Sequence, residues 1–339
     1  MSMKHFIEVE RVTKEFKVSK RNKGIPGMIA NMLAPRYEIK KAVDEISFHI
    51  DEGEMVGFIG PNGAGKSTTI KMLSGILHPT SGAILVGSYV PYQNRKRYVG
   101  NIGVVFGQKS QLQWDLPPID TFELLRYVYR IPTDAYKKNL TRLVELLDMG
   151  SFLNQPVRQL SLGQRMRADI VASLIHSPRI VFFDEPTIGV DVVGKETIRN
   201  FIRELNRTEK TTMIFTTHDM QDIEKTCNRL IIIDRGHKEY DGSLAGIRDK
   251  FATTRQLDVE FLNEIEVEPI PKVLIQNMDE LEGRKKRFVF QSNEVEINEL
   301  MQYLLGRYHV KDLQISEPEI ESIIRRIYSG ELSERGALL

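Results

Sequence analysis

The chain has 339 residues, 41% hydrophobic and 27% charged, which suits two domains or one large domain with an appendage. Lysine and arginine total 47 against 46 acidic residues, a balance that gives no reason to expect a nucleic-acid binder. The single cysteine, Cys227, excludes an internal disulfide and fits a reducing cytoplasm; the start, MSMKHFIEVERV, lacks the uninterrupted apolar core of a signal peptide, and no apolar run reaches the ~20 residues that span a bilayer.

Residues 5–12 (HFIEVERV) alternate loosely and predict a strand; 41–50 (KAVDEISFHI) alternate again, and 53–60 (GEMVGFIG) predict a short buried strand running into glycines. Between the first two lies an insertion, 17–41. It carries Lys17, Lys20, Arg21, Lys23, Arg36, Lys40 and Lys41 around the apolar centre IPGMIANMLAP. That pattern leaves two readings open, a solvated loop folded back on its domain or an interfacial segment with its apolar side toward a permease or a membrane's inner leaflet. STTIKMLSG (67–75) predicts a helix closed by Gly75, 99–108 contain a strand, and 119–153 show mostly helical spacing. Next come helix 161–176, strand 179–186, helix 194–206, strand 211–218, helix 219–227 and strand 229–234. Buried strands alternating with helices predict a largely parallel sheet covered on both faces. After about residue 245 the pattern changes. Strand-like stretches at 256–262, 272–276 and 286–291, a helix with Ile297, Leu300, Met301, Leu304 and Leu305 on one face, the strand-like VKDLQIS (310–316), and a last helix opened by Ser316 and Glu319 predict a small α/β domain over 245–330.

GPNGAGKST (60–68) satisfies G-x-x-x-x-G-K-[ST] between a predicted strand and a predicted helix. Gly60, Pro61, Asn62, Gly63, Ala64 and Gly65 supply a turn whose backbone N–H groups form an anion nest at a helix N-terminus. Lys66 would reach the β- and γ-phosphates, Ser67 would place its hydroxyl on Mg²⁺, and Thr68 completes the motif. A glycine-rich turn alone has no need of the Lys-Ser ending, so this is a nucleoside triphosphate site. IVFFDEP (180–186) brings Asp184 to the C-terminal end of a buried strand, where open α/β sheets bind ligands and where a carboxylate can hold Mg²⁺ through water. Glu185, beside it, can accept a proton from an attacking water.

The ordered set Gly60–Thr68, Gln108, LSLGQ (160–164), Asp184–Glu185, Asp191 and His218 resembles the nucleotide-binding subunit of ABC transporters. The resemblance covers roughly residues 5–240. It implies a P-loop ATPase fold, α/β, with a mostly parallel sheet core, an antiparallel β subdomain and a helical subdomain at about 110–176; the 245–330 segment would be an α+β accessory domain. By the same resemblance Gln108 senses Mg²⁺ and the attacking water, TIGVD (187–191) is the D-loop with Asp191, and His218 is the switch histidine that contacts the γ-phosphate. An aromatic after the first strand would stack on adenine; Phe16 resembles that position and Tyr37 is the alternative.

The family's usual signature is LSGGQ, and here Leu162 replaces a glycine. Ser161 as N-cap with Gln164 three residues on makes a helix N-terminus with free N–H groups for an anion. Leu162 keeps its N–H, and Gly163, the glycine of closest approach, remains. The resemblance implies that Ser161, Gly163 and Gln164 clamp ATP held by a second subunit, head to tail, so that ATP favours the closed dimer and hydrolysis releases it. A homodimer would have two competent sites.

The chain lacks the N-K-x-D motif of guanine readers and carries one phosphate loop without a long coiled-coil insertion. It therefore reads as the ATPase of a transporter, on the cytoplasmic side of the membrane, with a separate permease. GVVFGQKSQLQWDLPPIDTFELL and LQISEPEIESIIRRIY resemble the export branch that moves drugs, antibiotics or polysaccharides. An importer ATPase, or a non-transport ABC ATPase, is the alternative.

Overall fold

The computed structural model describes residues 5–19, 37–107, 109–251, 254–264, 275, 277–281, 284–291, 295–316 and 320–329. Gln108, the centre of the 17–41 segment, Glu319 and most of 272–276 lie outside the described residues. The chain divides into two compact units, Met1–Asp241 and Gly242–Leu339.

In the first unit, β1 (Ile7–Ser19) pairs antiparallel with β2 (Tyr37–Ile50) on one side and β4 (Ser81–Val86) on the other. Ile7, Val9, Phe48 and Ile50 alternate inward and are buried. The β1–β2 ladder continues through Lys17↔Ile39 to Ser19↔Tyr37, so both ends of the expected 17–41 insertion belong to strands. Phe16 and Val18 alternate with Lys17, and Tyr37 and Ile39 with Glu38 and Lys40. The register, however, sets Phe16 against Lys40, Lys17 against Ile39 and Val18 against Glu38, so neither face is uniformly apolar and these residues stay largely exposed.

The second sheet runs in the order β5 (Ile102–Phe106), β6 (Ile180–Asp184), β7 (Thr212–Thr216), β3 (Met55–Ile59), β8 (Arg229–Asp234) and β9 (His237–Ser243). The four pairings from β5 to β8 are parallel. β9 returns through a two-residue turn at Arg235 and Gly236, both with positive φ (47 and 82), the geometry that suits a tight hairpin. The parallel strands are apolar almost throughout, as burial on both faces demands: Val181, Phe182, Phe183, Ile214 and Phe215 are fully enclosed. Because these strands are parallel, Ile59, Asp184 and Thr216 end on the same edge, which brings the 60–68 loop and the carboxylates of Asp184 and Glu185 together.

α1 (Lys66–Leu73) and the single turn α2 (Arg95–Tyr98) belong to the first half of this unit. α3 (Pro118–Tyr129), α4 (Thr133–Leu146) and α5 (Leu162–Leu174) form the helical portion around buried Phe122, Leu143, Phe152 and Met166. α6 (Val192–Glu209) and α7 (Met220–Thr226) complete it.

The second unit begins with α8 (Leu244–Phe251) and holds an antiparallel sheet in the order β11 (Asn277–Glu280), β12 (Lys285–Gln291), β10 (Thr254–Phe261) and β13 (Val310–Ser316). Leu257, Val259 and Phe261 alternate into a core shared with Phe288, Phe290 and, from α9 (Ile297–Arg307), Leu300 and Leu304. α10 (Ile320–Tyr328) buries Ile320, Ile323, Ile324 and Ile327. Ser316, expected to open that last helix, is instead the final residue of β13, opposite Gln256. No helix among the described residues is long and apolar enough to cross a membrane.

Candidate active site

β3 delivers the phosphate loop to the functional edge. Gly60 must be glycine, since a Cβ there would lie 2.3 Å from the Ile233 carbonyl oxygen. Gly65, with φ 113, caps α1 in the left-handed region, where a side chain would meet the Ala42 oxygen at 2.5 Å. Lys66 is buried, and its Nζ donates to the carbonyl oxygens of Gly60 at 2.6 Å and Pro61 at 3.3 Å. Burial lowers its pKa, and the nearby carboxylates of Glu185 and Asp184 oppose that shift. The loop residues Pro61, Asn62, Gly63, Gly65, Lys66, Ser67 and Thr68 line a cavity of about 680 Å³. Ala64 does not; it is buried, and its carbonyl oxygen accepts from the Gly236 amide at 2.9 Å.

Phe16, Val18 and Lys40 also line this cavity, brought there by the extended β1–β2 ladder. Phe16 lies 38% exposed with the Lys14 ammonium 5.3 Å from its ring centroid. Tyr37 is not among the lining residues and stands 60% exposed.

Asp184 and Glu185 line the cavity too. Asp184 Oδ1 accepts from the Thr216 hydroxyl at 2.8 Å and from the Ser67 hydroxyl at 3.3 Å. A serine hydroxyl and a carboxylate meeting at one point form a hard oxygen donor set, which fits Mg²⁺. Glu185 has φ 56, a left-handed backbone that costs a non-glycine residue on the order of 1 kcal/mol or more. Its amide donates to Thr216 twice, to the carbonyl oxygen at 3.0 Å and to Oγ1 at 3.1 Å, and these bonds hold the strained backbone in place. On its other flank the Gly107 amide donates to the Asp184 carbonyl oxygen at 2.8 Å. Gly107 and Lys109, on either side of Gln108, line the cavity. His218 lies two positions beyond β7, mostly exposed, with Nδ1 3.7 Å from Glu185 Oε1.

The signature residues and Asp191 do not line that cavity and form a second cluster. Ser161 caps α5: its Oγ accepts from the Gln164 amide at 3.2 Å, and the Ser161 amide donates to Gln164 Oε1 at 2.9 Å, a reciprocal capping box. Gly163 is buried against Val190. Leu162, 42% exposed, reaches Gly189, where a Cβ would stand 2.7 Å from Leu162 Cδ2. Asp191 caps α6 through the Gly194 amide, 2.7 Å from Oδ1. The next two residues, Val192 and Val193, are exposed.

Two carboxylates matter here that the motifs did not single out. Asp169, buried on α5, accepts from the Gln111 amide at 2.9 Å and the Ser110 hydroxyl at 3.0 Å, which ties the segment at 110–111 to the signature helix. Burial pushes its carboxyl up to about 6. Asp222, on α7, is fully buried among Thr187, Arg199 and Thr217. Their only sequence signal is an acid on the inward face of a predicted helix.

The ABC transporter family model matches residues 43–188. Among curated proteins, the ABC transporter ATP-binding protein NatA of Bacillus subtilis (strain 168) is 31% identical over 66% of this chain and 90% of its own length. The linearmycin resistance ATP-binding protein LnrL of the same organism is 30% identical over 87% of this chain and 96% of its own. The Nod factor export ATP-binding protein I of Burkholderia pseudomallei (strain 1710b) is 34% identical over 61% and 68% respectively. Among solved structures, the ATP-binding cassette MJ0796, in a dimeric post-hydrolysis state bound to ADP and Pi, superposes with a TM-score of 0.59 at 26% identity, over 70% of this chain and 98% of that one.

Proposed function

We infer the working cycle of this chain from its membership of the ABC transporter family, to which it belongs as an ATP-hydrolysing subunit of a transporter. Residues 5–240 act as the ATP-binding cassette and 245–330 as an accessory domain. ATP enters the cavity with its base against Phe16 and its phosphates over the 60–68 loop, where Lys66 meets the β- and γ-phosphates. Ser67, Asp184 and Gln108 would hold Mg²⁺, whose charge would screen the phosphate oxygens during transfer. Glu185 takes a proton from the attacking water, whose oxygen bonds to the γ-phosphorus as the bond to the β-phosphate oxygen breaks. His218, within reach of Glu185, contacts the γ-phosphate.

A second copy supplies Ser161, Gly163 and Gln164 to that phosphate, with Asp191 at the junction, and the closed pair returns to the open state after hydrolysis. The exposed Val192 and Val193 beside Asp191 offer apolar surface for that contact. The energy goes to a separate membrane-embedded permease, with this subunit peripheral on the cytoplasmic face. Relatives named for Nod factor export and linearmycin resistance support export as the direction.

The observation that carries the reading is the convergence of Lys66, Ser67, Asp184 and Glu185 on one cavity. Its test is Glu185→Gln, which keeps the shape of the carboxylate and removes its basicity. ATP binding should be retained while steady-state hydrolysis falls by about 100-fold or more. Hydrolysis within a few-fold of wild type would place the base elsewhere.

A further inference from the structure

The fully buried carboxylate of Asp222 has no place in the cycle described above, yet it holds three side chains, Thr187, Arg199 and Thr217. A buried carboxylate is costly unless paired and hydrogen-bonded, so its partners identify what it is holding. Arg199, on α6, donates to Oδ1 through Nε at 2.6 Å and through its terminal nitrogen. The two remaining donors are hydroxyls that converge on Oδ2. Thr187 Oγ1 lies at 2.5 Å and Thr217 Oγ1 at 3.1 Å. Thr217 Oγ1 in turn accepts from the Asp219 amide at 3.0 Å, and Asp219 holds Lys195 at 2.7 Å.

These two threonines occupy telling positions. Thr187 starts the turn that carries Gly189, Val190 and Asp191, and it follows Glu185 by two residues. Thr217 immediately precedes His218. Both are buried, at 3% and 2% exposure, so no water competes for their hydroxyls. One carboxylate oxygen therefore joins, from behind, the loop that carries the general base to the loop that carries the histidine, whose Nδ1 stands 3.7 Å from Glu185.

Resting on the functional reading above, we propose that Asp222 is a positioning residue that locks the 187–191 turn to the His218 loop, so that hydrolysis proceeds only when that turn is seated. It touches neither ATP nor the water. A turn that meets a second copy next to Val190 and Asp191 can thus pull on the base and the histidine together through Thr187 and Thr217.

The test uses isosteric changes that spare the Arg199–Asp222 pair. In Thr187→Val the turn loses its bond to Oδ2, so the melting temperature should drop by a few degrees, and kcat for ATP, read well below that temperature, should fall about tenfold while KM stays near wild type. Thr187→Ser, which keeps the hydroxyl, should restore kcat. Thr217→Val should reproduce the kcat loss, and the double variant should lose less than the product of the two single effects, because both act through one oxygen. A kcat near wild type in Thr187→Val, a parallel rise in KM, or failure of the serine to rescue would overturn the proposal. Glu185→Gln, assayed alongside, separates the two levels. If it still hydrolyses ATP, the site reading fails and this proposal with it; if it is inactive while Thr187→Val is unimpaired, the positioning role alone fails.

Discussion

Leu162 and Gly189 fit together: the leucine reaches the place where any other residue at 189 would put its Cβ, 2.7 Å from Leu162 Cδ2. The leucine that departs from the family's signature is thus matched by a glycine about thirty residues on, in a left-handed turn with φ 67. Gly189→Ala should lower ATP turnover, by about tenfold, through both backbone strain and the collision. Adding Leu162→Gly should recover part of that loss, because it removes the collision and leaves the strain. No recovery in the double variant would mean that strain alone sets the cost. Leu162→Gly by itself should change turnover by less than about tenfold, since the backbone donor is present either way.

The phosphate loop, both carboxylates and the capping box were legible in the sequence because each is local: a fixed spacing at the junction of a strand and a helix. The Leu162–Gly189 fit was not, because it joins the start of α5 to the turn after β6, which meet only once the two are packed. The same holds for Asp222, whose partners at 187, 199 and 217 come from three different segments. β4 was missed because SGAILV exposes its first three residues, and β9 because HKEYDGS buries only Tyr240. The outer ends of β1 and β2 do alternate, at Phe16 and Val18 and at Tyr37 and Ile39, but the stretches are short and flank a basic segment, so they read as part of the insertion.

Thr216→Val tests how the strained Glu185 is held. The substitution keeps shape and removes the hydroxyl that serves both Asp184 Oδ1 and the Glu185 amide. Hydrolysis should fall by about tenfold or more while nucleotide binding persists, since one hydrogen bond to a charged group is worth ~1.5–3 kcal/mol. Turnover equal to wild type would show that the Thr216 carbonyl alone holds Glu185.

Asp169 gives a stability prediction with a definite sign. Its carboxyl titrates at about 6 in the folded chain, against 3.8 when unperturbed. Below pH ~4 it is protonated in both states and ionisation costs nothing. Between pH ~4 and ~6 the unfolded chain ionises first, so stability is lost as pH rises, up to a limit of about 3 kcal/mol that is reached above pH ~6. Asp169→Asn cannot titrate, and its amide oxygen can accept from Gln111 and Ser110 in the same way. The melting temperature of the variant relative to wild type should therefore increase between pH 4 and 6 and level off above. A difference that does not vary with pH would rule out the buried carboxyl as its source.

Ser161 should act on nucleotide bound to the other chain. In mixed dimers, Lys66→Ala in one copy and Ser161→Ala in the other places both lesions in one composite site and leaves its counterpart intact. About half of wild-type turnover is expected if the sites work independently, and far less when one copy carries both substitutions beside a wild-type copy, because each composite site then holds one lesion. Equal turnover in both arrangements would rule out a shared site.

The amide of Gly107 bonded to Asp184, and that of Glu185 bonded to Thr216, continue the hydrogen-bond rows of β5, β6 and β7 past the strand ends. Glu185 is therefore mounted on the sheet itself, with Gly107 so close that a Cβ there would lie 2.2 Å from the Glu185 carbonyl oxygen. Segments attached elsewhere are free to diverge: α3 and α4, the residues between β1 and β2, and the unit beyond Asp241 can change in length and sequence without altering the distance from Glu185 to Lys66. Across a lineage, such a chassis lets new permeases and new cargoes be acquired while the ATP-hydrolysing geometry is inherited intact.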